Sequence, residues 1–292
     1  MTEPKIQTLG ITRWSYPGQS RGFRRSADDL DHLRTQLYAP HRLDHRLFLL
    51  EHLLIPCLAH QTDPDFLHLI VIGDQLPDPW RSRVLELAES LPQLRVVIEP
   101  EGNDMREMLS EVIPRFKDNQ CDVIAQYRLD DDDAVAVEFV AQSREIFAGL
   151  QPFFAADGIA ALDYTRGFIM STDDSGLDIR SVSSRFWAPG MMVFQDMETA
   201  KSLFEFPHMR VWHDMPTLTW KETPMFIRGS HHDNDSELSN FGRRTKSFKF
   251  NPQNLSRYMG RRFGIDLKQM REEWTARRQW FTGETESQTA AQ

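Results

Sequence analysis

The chain of 292 residues has few cysteines and no long apolar run. It has only two cysteines, Cys57 and Cys121, so a disulfide framework is excluded and a reducing, cytoplasmic setting is expected. No stretch approaches the ~18 consecutive apolar residues that a spanning helix needs, and the first residues lack the apolar core of an export signal. We therefore expect no transmembrane segment.

The chain also lacks an excess of basic residues. Its formal net charge is -9, whereas binding to a nucleic acid backbone needs clustered positive charge, so no nucleic acid partner is expected. With 40% hydrophobic and 26% charged residues, the composition is that of a globular protein with a sizeable core. An anionic ligand would need local arginines or a metal ion.

Apolar segments alternate with segments of helical spacing in the first half of the chain. The pattern predicts strands at 6–12, 67–73, 94–99 and 122–129, and helices at 43–54, 80–91, 105–116 and 134–150. Such alternation predicts an α/β fold with a mostly parallel sheet that helices cover on both faces.

The alternation of strand and helix patterns becomes less regular after residue 150. Short strands are predicted at 159–164, 167–171, 191–194 and 225–228, helices at 197–204 and after Asp214, and a hairpin arm or loop at 171–184. We divide one domain into halves at 1–150 and 151–282, followed by a tail at 283–292 that is predicted to be disordered.

The densest charge in the chain is the run Asp130-Asp131-Asp132-Asp133, which follows directly on the predicted strand at 122–129. Ligands in open α/β sheets bind beyond the carboxyl ends of strands, and adjacent carboxylates repel one another unless a cation neutralises them. The run therefore predicts a divalent metal site, although an exposed turn in which Asp133 caps a helix starting at Ala134 is also consistent with it.

Two further segments offer ligands or a base. His231 and His232 stand in a polar loop about a hundred residues later, and imidazole nitrogen beside carboxylate oxygen suits manganese or magnesium. Read alone, the two histidines are equally typical of a solvated loop. Asp214 stands at a predicted helix start, where it could act as a general base or simply as an N-cap.

These segments together resemble a GT-A type glycosyltransferase, in which a strand ends in Asp-x-Asp and a distant histidine completes the metal site. The segments at 10–13, 61–66 and 128–133 resemble more narrowly a bacterial family of rhamnosyltransferases. The resemblance implies a Rossmann-like, mostly parallel sheet, with the nucleotide-sugar in the first half and a smaller mixed acceptor-side region in the second.

The resemblance also implies the chemistry. A nucleotide diphosphate sugar, first of all dTDP-rhamnose, would transfer its sugar to a saccharide or lipid-linked acceptor, with manganese or magnesium as Lewis acid. The metal ligands would come from Asp130, Asp132, Asp133, His231 and His232, and Asp214 would be the base of an inverting enzyme. The residues implied at the donor are Thr12, Arg13, Asp74, Arg128, Asp130 and Asp131.

Alternatives to this interpretation remain open. Clustered Asp and His residues also serve metal-dependent phosphoester hydrolases, and a noncatalytic nucleotide-sugar-binding protein would need the same donor site. The aromatic residues Phe186 and Trp187 are consistent with a sugar-stacking wall or with core packing. The basic segment around Arg271 and Trp274 fits peripheral membrane contact or a helix packed on the domain.

Overall fold

The computed structural model describes residues 3–18, 27–173, 175–231, 246–250 and 253–281, and the predicted tail and His232 lie outside them. In these ranges the chain forms strands β1 (Ile6–Arg13), β2 (Leu67–Gly73), β3 (Leu94–Glu99), β4 (Val123–Asp130), β5 (Ala134–Val135), β6 (Ile159–Tyr164), β7 (Arg166–Asp173), β8 (Gly176–Ser183), β9 (Met191–Asp196), β10 (Thr217–Trp220) and β11 (Phe226–Ser230). The helices are α1 (Ala27–Leu37), α2 (Pro40–Leu49), α3 (Ile55–Ala59), α4 (Trp80–Glu89), α5 (Met105–Val112), α6 (Phe139–Asp157), α7 (Leu255–Phe263) and α8 (Leu267–Phe281).

Seven strands form the central sheet, in the order β10-β6-β9-β4-β1-β2-β3. All of them run parallel except β9, which lies antiparallel between β4 and β6. β4 is central and apolar, and most of its residues are buried, as expected for a strand covered on both faces. The predicted α/β fold with a mostly parallel sheet is confirmed.

A second sheet of four strands, in the order β5-β11-β7-β8, stands beside the end of β4. β5 begins directly after the aspartate run and pairs antiparallel with β11. β7 and β8 form a hairpin, so the segment predicted as a hairpin arm or loop is a hairpin arm. This small sheet brings the end of β11 to the carboxyl end of β4.

Helices pack the two sheets together into one large core. A single π-helical turn, Leu50–Leu54, joins α2 to α3, so the predicted helix at 43–54 is present but has one widened turn. Near the carboxyl end of the chain, α8 buries Trp274 completely. No helix in the described ranges combines the length and apolar character that a membrane span needs.

Three predicted helices differ from the structure. No helix starts at Ala134, because residues 134–135 pair with β11, and α6 begins only at Phe139. The segment 197–204 holds only a short 3₁₀ turn, Leu203–Glu205, because the side chain of Gln126 accepts a hydrogen bond from the Leu203 backbone N–H at 3.1 Å. The chain after Asp214 forms strand β10 because Thr217–Trp220 pairs with β6.

Candidate active site

The aspartate run makes a tight turn at the carboxyl end of β4. The backbone N–H of Asp133 donates to the carbonyl of Asp130 at 3.1 Å, and one carboxylate oxygen of Asp133 accepts from the backbone N–H of Asp130 at 3.0 Å. Asp133 therefore caps its own turn and no helix. The turn also ends the strand alternation, so Asp133 joins the side of the chain on which Asp130 and Asp132 lie.

Three carboxylates of the run converge. One ligand oxygen each from Asp130, Asp132 and Asp133 lies within 4.8 Å of the others, a grouping that can hold a metal ion. The Asp130 side chain is half exposed, whereas Asp132 and Asp133 are buried. The cluster is thus open to ligands on one side and closed on the other.

Asp131 is not part of this cluster. Its carboxylate accepts a hydrogen bond from the guanidinium of Arg46 at 2.5 Å, and both side chains are 7% exposed. Arg46 lies on α2 and also stands 4.0 Å from a carboxylate oxygen of Asp132. Asp131 therefore joins the run to α2 and has no direct access to a ligand in the cleft.

His231 lies on the buried side of the cluster, against Asp132. Its Nε2 lies 3.1 Å from Oδ2 of Asp132, and the imidazole side chain is 1% exposed. The backbone of Gly229 makes this approach possible, because a Cβ added there would lie 2.5 Å from the same Oδ2. The structure thus brings His231 to Asp132, whereas His232 lies outside the described residues, and the role of either as a metal ligand stays a prediction.

The electrostatics of the run fit a cation. Burial raises the pKa of Asp132. Burial also raises the pKa of Asp133 well above the usual range, and the negative charges of Asp132 and Asp130 raise it further. Burial also raises the pKa of Asp131 to about 6, although Arg46 opposes the shift. Carboxylates that are costly to ionise without a counter-charge, with oxygen atoms converging, are a suitable donor set for manganese or magnesium.

Arginines stand at the open side. Despite its partial burial, Asp130 has a pKa below its ordinary value because the guanidiniums of Arg13 and Arg128 face it, and Arg13 is 3.7 Å away. Arg128 donates to Nδ1 of His208 at 3.1 Å and lies over the ring of Phe204. Among the described residues, Nε of Arg128 is buried without a hydrogen-bond partner.

The remaining predicted donor residues lie farther from the cluster. Thr12 is fully buried and its hydroxyl lies 2.9 Å from Nε2 of His68, so it holds β1 to β2 and does not face the cleft. Asp74 follows β2, and its carboxylate accepts from the backbone N–H of Glu101 at 3.2 Å. Asp74 therefore borders the carboxyl ends of β2 and β3.

Asp214 is separated from the cluster. Pro216 accepts a hydrogen bond from Ala161 at 2.8 Å, so Asp214 lies level with the start of β6. Gln195 of β9 pairs with both Ile159, at that start, and Ile124 of β4. Asp130 lies six residues beyond Ile124, a distance of about 20 Å along the strand direction. Asp214 therefore lies before the edge strand β10 and is not one of the three grouped carboxylates, and its expected role as a base stays a prediction.

Sequence reasoning missed four residues near the run. Their signal was a charged or polar residue inside an apolar pattern: Arg46 falls on the apolar face of the predicted helix at 43–54, and Arg228 interrupts an apolar strand and lies over the ring of Trp187. His45 lies next to Arg46 and packs edge-on against the His231 ring, with centroids 4.8 Å apart. The fourth residue, His208, has a pKa that burial and Arg128 lower to about 4.

The family of the chain follows from comparison with known proteins. The family model described as "Putative rhamnosyl transferase" matches residues 7–243, which is far more than half of the chain. The chain belongs to this family. The family span includes β1 except its first residue, the whole aspartate run and His231, so the residues of the cluster all lie inside the matched region.

Comparison with curated proteins gives no match. Solved structures of TarS from S. aureus are similar in fold: one is 10% identical with a TM-score of 0.41 and covers 77% of this chain and 37% of TarS. TarS 1–349 with UDP-GlcNAc is 10% identical with a TM-score of 0.40, covering 87% of this chain and 64% of TarS. The chain thus spans less than two thirds of these relatives, and a likeness this remote does not bear on its substrate.

Proposed function

We propose that the protein is a metal-dependent glycosyltransferase, which moves a sugar from a nucleotide diphosphate donor to an acceptor hydroxyl. The observation that carries this proposal is the convergence of Asp130, Asp132 and Asp133 at the carboxyl end of β4, with arginines at the open side. Membership of the rhamnosyl transferase family supports the reaction class.

The metal ligands of the proposal are Asp130, Asp132 and Asp133. His231 lies against Asp132 as a further ligand or as the group that orients it. A bound divalent cation would supply Lewis-acid stabilisation of the charge that develops on the departing diphosphate. Manganese or magnesium suits this mixed set of oxygen and nitrogen donors.

The arginines of the chain would bind the donor. Arg13 and Arg128 present guanidiniums to the space beside Asp130, and the free Nε of Arg128 supports an anionic partner there. Asp74 would border the nucleotide at the ends of β2 and β3. Thr12 and Asp131 would act through His68 and Arg46, by holding β1 and the run in place.

For the sugar we propose rhamnose from dTDP-rhamnose, on the strength of the family description, with inversion at the anomeric carbon, as the GT-A resemblance implies. Asp214, which lies before the edge strand β10, stays the candidate for the base of an inverting reaction. The acceptor is a saccharide or a lipid-linked saccharide. The configuration of the transferred sugar, read by NMR of the product, tests inversion.

Calorimetric titration with dTDP, UDP and GDP, each with and without manganese, tests the proposal directly. We expect one nucleotide, first of all dTDP, to bind in a manganese-dependent manner. Asp132→Asn should abolish the effect of manganese while the fold stays intact by circular dichroism, since it removes one ligand charge. Asp178→Asn, at an exposed position on β8, is the matched control and should bind as the wild type does.

Two results would contradict the proposal. Unchanged manganese dependence in Asp132→Asn would contradict the proposed metal site. The absence of binding to any nucleotide would contradict the proposed donor site. Nucleotide-sugar consumption without any transfer to an acceptor would favour the hydrolase, and binding without consumption would favour the noncatalytic binding protein.

A further inference from the structure

A cavity lies at the edge of the central sheet, and none of the aspartates of the run lines it. Its volume is about 490 Å³, within the ~300–1,000 Å³ typical of small-ligand sites, and it opens to solvent. The residues that matter here are Asp157, Arg185, Phe186, Trp212, His213 and Asp214. They come from the end of α6, the segment after β8 and the segment before β10.

Aromatic rings are presented to this cavity. The Trp212 side chain is 53% exposed, an unusual exposure for so large an apolar group. Its ring stacks on His213 with centroids 3.7 Å apart and an interplanar angle of 28°, which holds the indole in one orientation. Phe186 adds a second ring, over which the guanidinium of Arg185 lies at 4.9 Å.

Charged groups share the same cavity with these rings. Asp157 and Asp214 line it with carboxylates, which can accept hydrogen bonds, and Arg185 with a guanidinium, which can donate them. A pyranose ring carries hydroxyls that both donate and accept, and its C–H face packs on aromatic rings. Aromatic platforms flanked by both kinds of hydrogen-bonding group therefore match a sugar better than an apolar ligand or a simple anion.

The wall of the cavity is held in an uncommon conformation. Phe186 has φ = 61°, in the left-handed region that non-glycine residues rarely adopt. Its backbone N–H donates to Oδ1 of the fully buried Asp163 at 2.8 Å, and Ser184 nearby donates to the Thr165 carbonyl at 2.8 Å. Strained backbone that buried groups hold in place is typical of binding sites.

We infer that this cavity is a carbohydrate-binding site, which holds one pyranose ring between Trp212 and Phe186. Asp214, which the sequence suggested as a catalytic base, would there bind sugar hydroxyls. The bound ring would be a unit of the saccharide acceptor; this last clause rests on the proposed function.

A glycan array probed with the labelled full-length chain tests the site, followed by saturation-transfer NMR with the oligosaccharides that bind. Neither nucleotide nor manganese is added, so a failure of the proposed transferase does not affect the result. We expect Trp212→Ala to weaken binding by about tenfold and Trp212→Phe to retain most of it, because an aromatic ring is kept. Phe153→Ala removes an exposed ring outside the cavity and serves as the matched control.

Each outcome decides the inference. Binding that Trp212→Ala loses and Phe153→Ala keeps supports the site, whatever the nucleotide titrations give. Binding that is unchanged in Trp212→Ala, in protein whose circular dichroism matches the wild type, overturns it. A wild-type chain that binds no glycan on the array overturns it as well and leaves the donor site untouched.

Discussion

Gly229 determines where the carboxylate of Asp132 lies. A Cβ built on this glycine would lie 2.4 Å from Cβ and 2.5 Å from Cγ of Asp132, closer than real atoms approach. The glycine thus makes room for one of the three grouped carboxylates at a point where β11 passes the end of β4. A single methyl group at this position would move the carboxylate away from the cluster.

Gly229→Ala is therefore expected to weaken manganese-dependent dTDP binding at least tenfold while the chain still folds. Calorimetry with and without manganese measures the effect. Gly149→Ala is the matched control, because a Cβ at this helical position meets nothing within 4 Å. Equal binding in the two variants would mean that Asp132 does not depend on the space beside Gly229.

Arg46 is the only described cation bonded to Asp131, in a pair that is 7% exposed on both sides. Removing one partner of such a pair leaves a buried charge uncompensated, at a typical cost of about 3–5 kcal/mol. We expect Arg46→Met to lower the free energy of unfolding by this order at pH 7, measured by urea denaturation. The double variant Arg46→Met with Asp131→Asn should recover most of the loss, and an additive double variant would contradict the pairing.

At the scale of elements, helix α8 supports the aspartate run from behind. Trp274 is fully buried, its ring lies 5.2 Å from that of His45, and the His45 ring packs on His231, which contacts Asp132. Two aromatic contacts thus connect α8 to His231, which contacts Asp132 of the aspartate run. It lies beyond residue 243, where the family match ends.

Trp274→Ala is expected to lower the free energy of unfolding by about 3–5 kcal/mol, because it leaves a large void in the core. It should also weaken manganese-dependent binding in the protein that remains folded, since His45 and His231 lose their support. Thermal unfolding and calorimetry measure the two effects. Thr275→Ala, on the exposed side of the same helix, should change neither by more than about 0.5 kcal/mol.

Most elements of the first half were predictable because their patterns are local. β4 is an apolar run that ends in charge, and the helix predicted at 105–116 is present as α5, followed by a 3₁₀ turn that contains Pro114. The failed predictions depend on distant partners. Ala134 pairs with Ile227, and the Leu203 backbone bonds to the side chain of Gln126, and no periodicity in either segment records these contacts.

The candidate site was predictable in part for the same reason. The aspartates could be recognised from the sequence because they are adjacent charges. His231 could be recognised because it is a histidine in a polar loop after a predicted strand. The pairing of Asp131 with Arg46 spans 85 positions, and only the position of an arginine on an apolar helix face hinted at it. Asp214 was expected at a helix start, whereas the chain after it forms the edge strand β10.

For the whole molecule, Asp163 links stability to pH. Burial raises its pKa to about 7, whereas in the unfolded chain it titrates near 3.9. Between these values the folded state holds one proton more than the unfolded state, so this group makes the protein lose stability as pH rises from about 4 to about 7. Its contribution is fully present below that interval.

Asp163→Asn removes this titration but keeps an oxygen that can accept from the Phe186 N–H. Urea denaturation at several pH values between 4 and 8 is expected to show a flatter decline of stability with pH for the variant than for the wild type. If the two proteins lose stability with pH in parallel, the proton that the folded state retains is not on Asp163 but among the buried aspartates of the run. The difference between the two slopes isolates Asp163 from these other groups.

The contact between Asp132 and His231 spans 99 positions of sequence. A ribosome adds about 5–20 residues each second, so the aspartates leave it some five to twenty seconds before the histidine that meets them. During that interval the nascent chain carries four adjacent negative charges without Gly229 or His231 beside them. The contact between Asp132 and His231 is therefore a late event in synthesis, which can occur only once β11 has joined β5.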